Sequence, residues 1–292
     1  MKWIGLDCNI AEIRGVVCDS SGAKLNAVHM AADLEQGALQ YIQKIQSLLS
    51  TLIQRYPSIH SVGVATVGRV DERNRLVTEA PAGITGYEGT DFYAVAGAIF
   101  PCSVIATNRT RAALAGEQWL GAAQGLERAA LLILDDTVDG AVLTGQCLRE
   151  DSRNSAENSR LLFPDDTVKH RLSARTFYGV MTQALGYNAS CERFLDEYAQ
   201  GNPSVRQVAE AYAETLVSAL IHIQTVFHPE AVILGGALAD WYDAILPTVS
   251  RALTQQNISL RVLKTQLGAD MACLVAAHIG FEARPASFER TH

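Results

Sequence analysis

Apolar and polar positions alternate between two periods along this chain, and the changes of period mark its elements. Residues 2–7 (Lys-Trp-Ile-Gly-Leu-Asp) and 12–18 (Glu-Ile-Arg-Gly-Val-Val-Cys) are apolar runs of strand length. Ser20-Ser21-Gly22 reads as a turn, and a third short strand at 24–29 completes a predicted β-meander. From 35 to 56 the apolar positions Leu39, Ile42, Ile45, Leu48, Leu49 and Leu52 recur every three or four residues, which predicts a helix stopped by Pro57. Ser61-Val-Gly-Val-Ala-Thr66 then has the pattern of a buried strand. The Pro/Gly-rich stretch through Pro81, Gly83, Gly86 and Gly89 reads as a loop. A short helix at 90–99, a strand at 103–107 and a helix from about 110 to 120 follow.

The second half repeats the scheme. Strands are expected at 129–135 and 139–144, polar irregular chain at 150–172, and helices at 173–186, 190–199 and 204–227. A strand at 231–234, a helix at 239–254, a strand at 260–264 and a last helix at 269–283 end the pattern, and the tail after Ala283 reads as frayed. Each half begins with a β-meander and continues into alternating helices and strands, so the expected class is α/β with a boundary between about 110 and 128.

Composition narrows the function classes. With 292 residues, 48% of them hydrophobic and 19% charged, the chain has ample material for packed cores. Twenty-four basic against 31 acidic residues leave a net charge of −7, which argues against nucleic acid as a partner. No apolar run reaches the roughly 18 residues of a membrane span, and no signal-peptide pattern opens the chain, so a cytoplasmic protein is expected. The six cysteines (Cys8, Cys18, Cys102, Cys147, Cys191, Cys273) form no CxC or CxxC pair and read as reduced thiols rather than zinc ligands.

Four segments in order carry a family resemblance. They are Ile4-Gly-Leu-Asp7 before a second strand; Ser61-Val-Gly-Val-Ala-Thr-Val-Gly68; Asn108 ahead of Ala112-Ala-Leu-Ala-Gly-Glu117 and Trp119-Leu-Gly-Ala; and Pro229-Glu-Ala-Val-Ile-Leu-Gly-Gly236. Together they resemble the ROK family of bacterial sugar kinases and sugar-responsive repressors, in the actin-like ATPase superfamily, over about residues 3 to 283. The resemblance implies two actin-like (ribonuclease H-like) domains flanking a central cleft, with ATP and a hexose as ligands and a dimer as the usual assembly. The expected domains are residues 1–115 and 116–268, the last helix, 269–283, packing back on the first.

The chain departs from the family where its members do chemistry. The phosphate turn, Asp-x-Gly-Gly-Thr in the family, is Asp7-Cys8-Asn9-Ile10-Ala11 here, so Asp7 survives and a plain β-turn is the simpler reading. The second phosphate loop, Gly-Thr-Gly-x-Gly-Gly in the family, is Asp135-Asp136-Thr137-Val138-Asp139-Gly140. Two unit charges about 4 Å apart repel by roughly 4 kcal/mol at an effective dielectric near 20, which opposes a polyanion there unless Asp135 and Asp136 hold Mg²⁺. The family's catalytic base is the Asp of an Asn-Asp pair, and here the pair is Asn108-Arg109. A guanidinium with a pKa above about 12 cannot accept the sugar proton. No Asp or Glu occurs between Asp91 and Glu117 to replace it.

The zinc and sugar segment is also altered. Glu157 matches the family's sugar-contacting glutamate, Arg160 stands at its histidine, and no cysteine cluster follows; Ala82 stands where a loop asparagine would contact sugar. Asn108 and Glu157 therefore remain as sugar contacts or as ordinary capping and surface residues. Arg109 and Arg160 beside them either favour an anionic sugar, through bidentate pairing, or are solvated. Gly235 and Gly236 resemble the adenosine-side turn, or serve close packing alone.

The expectation is a ROK-like protein that has lost phosphoryl transfer and keeps a binding or regulatory role in carbohydrate metabolism. Its expected substrate-side residues are Asn108, Arg109, Glu157 and Arg160, and its nucleotide-side residues are Asp7, Asp135, Thr137, Gly235 and Gly236. No cofactor and no zinc are expected, and a homodimer or a pairing with a paralogue is. No helix-turn-helix precedes the first strand, so DNA binding by that route is not expected. The alternative is an active ATP-dependent hexose or amino-sugar kinase of an atypical branch, which would require Mg-ATP.

Overall fold

The computed structural model describes residues 1–10, 12–19, 21, 23–33, 37–71, 74, 76–80, 84–136, 138–144, 162–163, 165–188 and 190–266. The expectations placed on Ala11, Ala82, Thr137, Cys147, Glu157, Arg160, Cys273 and the helix at 269–283 lie outside these residues. The chain divides into two compact units, with the change falling between Gly116 and Glu117.

In the first unit β1 (Lys2–Cys8), β2 (Glu12–Asp19) and β3 (Lys24–Ala31) form the antiparallel meander. β4 (Ile59–Thr66) lies parallel to β1, and β7 (Ser103–Asn108) parallel to β4, giving the order β3-β2-β1-β4-β7. Helix α1 (Gly37–Arg55) buries Tyr41, Ile45, Leu48, Leu49 and Leu52 against this sheet. Each such aliphatic side chain contributes about 1.5–3 kcal/mol of burial. Gly15 of β2 permits the approach: a Cβ there would collide with Leu48 Cδ2.

A hairpin of β5 (Arg69–Asp71) and β6 (Leu76–Glu79) interrupts the stretch after β4 and was not foreseen from sequence. Each strand has one buried residue, Val70 or Val77, too few to show a period. Helix α2 (Phe92–Gly97) starts where the Asp91 carboxylate accepts the N–H groups of Tyr93 and Ala94. Helix α3 (Arg109–Leu120) follows β7 directly.

In the second unit β8 (Arg128–Leu134) and β9 (Val138–Thr144) are antiparallel, β10 (Ala231–Gly235) is parallel to β8, and β11 (Arg261–Lys264) is parallel to β10. The described order β9-β8-β10-β11 repeats β2-β1-β4-β7 of the first unit in both sequence and direction. Its helices are α4 (Asp166–Arg171), α5 (Ala174–Leu185), α6 (Cys191–Ala199), α7 (Pro203–Phe227) and α8 (Tyr242–Gln255).

Helix α4 corrects the expectation of irregular chain over 150–172 for the part described. It buries no residue and so has no apolar stripe to read, and it starts on an Asp165 cap. The helix expected from 239 begins instead as a 3₁₀ turn, Ala239–Trp241, before α8. Helix α7 is bounded by sequence-local chemistry. Asn202 caps it, Pro203 opens it, and His228 ends it at φ +46°. Its Tyr212 meets Phe177 edge to face, Phe177 meets Trp241 in the same way, and the three rings lie in the core of this unit.

Candidate functional site

In the first unit, strand register gathers the candidate residues. Because β1, β4 and β7 run parallel, Cys8, Thr66 and Asn108 lie opposite one another at their carboxyl ends. Open α/β sheets present ligand-facing chain at such ends. Asp7, one residue inside this row, is 2% exposed. Arg109, the first residue of α3, donates from Nε to Asp7 Oδ1 at 3.0 Å and to Oδ2 at 3.2 Å. Arg14, opposite Asp7 on β2, and Glu12, which Arg14 grips at 2.6 Å, extend this charged row. Burial pushes the Asp7 carboxyl above the ordinary carboxylate range, and the guanidiniums of Arg109 and then Arg14 act against that rise.

Asn108 serves the fold on both sides of its amide. Its Nδ2 donates to the Gly68 carbonyl at 2.8 Å, and its Oδ1 accepts the N–H groups of Thr110 and Arg111 at 2.9 and 3.4 Å, capping α3. Gly68 takes φ +84°, which a glycine adopts without strain. The turn after β1 is closed by the Asn9 N–H on the Glu12 carbonyl at 3.0 Å. The Tyr41 hydroxyl pins it to α1 by donating to the Asn9 carbonyl at 3.0 Å. The Asn9 N–H is therefore spent on closing this turn.

In the second unit, the candidate residues lie just beyond β8 and β10. Asp135 Oδ1 accepts the Ala237 N–H at 2.7 Å, and the Asp135 carbonyl accepts the Ala174 N–H at 2.9 Å. Gly235 is anchored through its carbonyl by the Tyr242 hydroxyl at 2.9 Å. Gly236 takes φ +103°. Asp136 is exposed beside Arg175, 3.5 Å away, and Asp139 accepts the N–H of Gly140. Among the described residues no three His, Cys, Asp or Glu side chains gather where a metal ion would fit.

Of the residues singled out in the sequence, the structure brings Asp7 to Arg109 in one unit and Asp135 to Gly236 in the other. Arg14, Tyr41 and Ala237 were missed. Arg14 was within reach of counting, since a tight turn fixes which β2 residue faces Asp7. Ala237 was not, because it stands 102 residues from Asp135. Glu117 was quoted only as part of a helix. It is a buried carboxylate that accepts the Ala122 N–H at 2.7 Å and the Thr265 hydroxyl, joining the end of α3 to the chain after β11.

Two units, each with an antiparallel strand pair continued by two parallel strands, match the actin-like α/β fold of ROK sugar-kinase structures. The ROK family profile matches residues 3–156 and 171–279. This chain belongs to the ROK family. The ROK family glucokinase from Streptomyces griseus, solved in complex with glucose and AMPPNP, is similar at a TM-score of 0.81 and 19% identity, over 97% of this chain and 100% of that one. The ROK hexokinase from Thermus thermophilus is similar at 0.76 and 21%, over 97% and 98%. A ROK family transcriptional regulator, a homologue of the E. coli MLC protein, is similar at 0.80 and 14%, over 96% of this chain and 78% of that one. No curated protein sequence matches the chain. No helix among the described residues is long and apolar enough to cross a membrane.

Proposed function

We propose that this ROK protein is a non-catalytic member that binds a sugar or an anionic sugar derivative and acts as a binding or regulatory protein in carbohydrate metabolism. The observation that carries this reading is Arg109. It stands where the family resemblance places the catalytic base, and its guanidinium is 3.0 Å from Asp7. A guanidinium donates and does not accept, so it cannot take the proton of an attacking hydroxyl.

The residues present do not fit Mg-ATP. Asp7 is engaged by a cation of the chain itself, and the Asp135 carboxylate takes the Ala237 N–H beside the Gly235-Gly236 turn that resembles the adenosine side. The hairpin at Asn9 uses the N–H groups that a glycine turn would offer. Phosphoryl transfer is almost entirely positioning and charge stabilisation around the phosphates, so these three changes act on the same step.

On this reading the ligand contacts come from Asn108, Arg109, Glu157 and Arg160. A sugar acid or phosphorylated sugar suits the two arginines, because planar guanidinium pairs bidentately with carboxylate and phosphate. The similarity to a glucokinase solved with glucose supports a sugar as the ligand class. A cytoplasmic homodimer, or a pairing with a paralogue, completes the proposal.

Calorimetric titration with Mg-ATP tests it. The expected result is no detectable heat up to millimolar nucleotide with the protein folded. Micromolar binding, or phosphate transfer to any member of a hexose and amino-sugar panel, would overturn the reading in favour of an active kinase of an atypical branch.

A further inference from the structure

We propose that strand β3 pairs edge to edge with β3 of a second copy of this chain, antiparallel about a two-fold axis at Val28. The inference deepens the homodimer of the proposed function and rests on that part of it alone.

β3 is the outer strand of the order β3-β2-β1-β4-β7, and no strand among the described residues lies beyond it. The backbone N–H and C=O groups on that side are a template for one more strand. The pairing with β2 has one irregularity, at Leu25, between the pairs Lys24–Cys18 and Asn26–Val17; from Asn26 to Ala31 every residue has a β2 partner. Over that length the side chains alternate. Val28 and Met30 pack against the core, while Ala27, His29 and Ala31 on the opposite face are exposed. The end of the strand is also held from α1, where the Lys44 ammonium donates to the Ala31 carbonyl at 2.9 Å. An edge already formed pairs without the entropy cost of ordering it.

Two other outer strands carry the protection that edges need. β11 has four residues with Arg261 and Lys264 at its ends, and β5 and α2 lie against β7. β3 has eight residues with no proline and no acid, and its one Lys or Arg, Lys24, stands at its first position.

A second copy of the same strand fits this edge. Residues directly opposite in an antiparallel pair share a face, so a two-fold axis must pass through one residue of β3. At Val28 it sets Val28 against Val28, Ala27 against His29 and Asn26 against Met30, and no like charges stand opposite one another. An axis at His29 would instead bring two imidazoles together. With the axis at Val28, the Lys24 end of each copy meets the end of the other that carries Asp33, an exposed carboxylate gripped by Lys44, so opposite charges come together at both ends. The same patch serves both copies, so the contact is isologous and closes at two.

Analytical ultracentrifugation of the full chain over a concentration series tests the pairing, with circular dichroism confirming the fold of each variant. The unsubstituted chain is expected to reach twice the monomer mass. Ala27→Lys with His29→Lys sets like charges opposite at two places across the axis and is expected to weaken the dimer by about tenfold or more. Ala27→Lys with His29→Glu sets opposite charges at the same places and is expected to stay within about threefold of the unsubstituted chain. Both positions are exposed, so neither change enters the core. Full affinity in the Lys/Lys variant overturns the proposal, and equal losses in the two variants overturn it too, because the residues set opposite would then not be these.

Should the Lys/Lys variant not fold, hydrogen exchange of the unsubstituted chain decides. The β3 amides that point away from β2 are expected to exchange about tenfold more slowly at concentrations where the dimer forms than after dilution, and exchange independent of concentration overturns the contact. A monomer mass at every concentration overturns the homodimer along with the β3 pairing, and leaves the sugar-binding reading to its own titration. A dimer indifferent to both variants overturns the β3 pairing alone.

Discussion

Replacing Arg109 by alanine leaves Asp7 at 2% exposure without its contacts at 3.0 and 3.2 Å. Deleting one partner of a fully buried pair costs about 3–5 kcal/mol, because the remaining charge is left uncompensated. The Arg109 side chain is 29% exposed, so solvent screens part of the pair, and about 2–3 kcal/mol is expected at neutral pH. The pH dependence follows from Asp7. Burial raises its carboxyl above the ordinary value of 3.8, with Arg109 the foremost influence pulling it down. A raised folded pKa means that the native state holds the proton more tightly than the unfolded chain. Ionised Asp7 therefore weighs against stability as pH rises from the ordinary carboxylate range, and the full penalty is reached above the folded pKa. Without Arg109 that folded pKa rises further.

The difference between the two proteins should accordingly vanish at acid pH, where Asp7 is protonated in both, and grow as pH rises. Urea unfolding of the unsubstituted chain, Arg109→Ala, Asp7→Asn and the double variant across this range measures it as a double-mutant cycle. In the Asp7→Asn background, Arg109→Ala should cost less than about 1 kcal/mol, the scale of an ordinary hydrogen bond. A cost that does not change with pH and persists in that background would refute the ion-pair reasoning.

Three further outcomes follow from the geometry. Gly236→Ala should lose about 3 kcal/mol in thermal unfolding, since it adds a Cβ 2.7 Å from backbone at φ +103°; a loss under about 0.5 kcal/mol would show that the turn rearranges. Glu117→Ala should lose about 2–4 kcal/mol by stranding the Ala122 N–H and the Thr265 hydroxyl. Glu117→Gln, which keeps one acceptor, should recover part of that, and equal losses would contradict the argument. Burial pushes the Cys18 thiol up to about 11 and holds the Cys8 thiol well above its usual range, so at pH near 8 neither should react with a disulfide reagent until urea is added. Fast labelling of either thiol in the folded protein, located by mass spectrometry, would count against their burial.

How far each element was legible depended on its length and on the distance of its partners. Helices α1 and α7 showed their period because each buries several residues along one stripe, and β1, β2, β4 and β8 were legible as apolar runs because most of their residues are buried. The β5–β6 hairpin and α4 did not, since one buried residue per strand, or none, leaves no pattern. In the site, Arg109 after Asn108 was visible as an identity. What the arginine contacts was not, because Asp7 lies 102 residues away in the chain.

Taken alone, the sequence determined the α/β alternation and the family. Those properties are carried by residue type and local spacing, which survive without any knowledge of contacts. Only the tertiary structure decided which of the candidate residues meet. Parallel register at the ends of β1, β4 and β7 sets Arg109 on Asp7, and register between β8 and β10 sets Asp135 on the N–H of Ala237. Such pairings exist only once strands far apart in the chain are laid side by side, where a buried charge must find a partner and a backbone donor must find an acceptor.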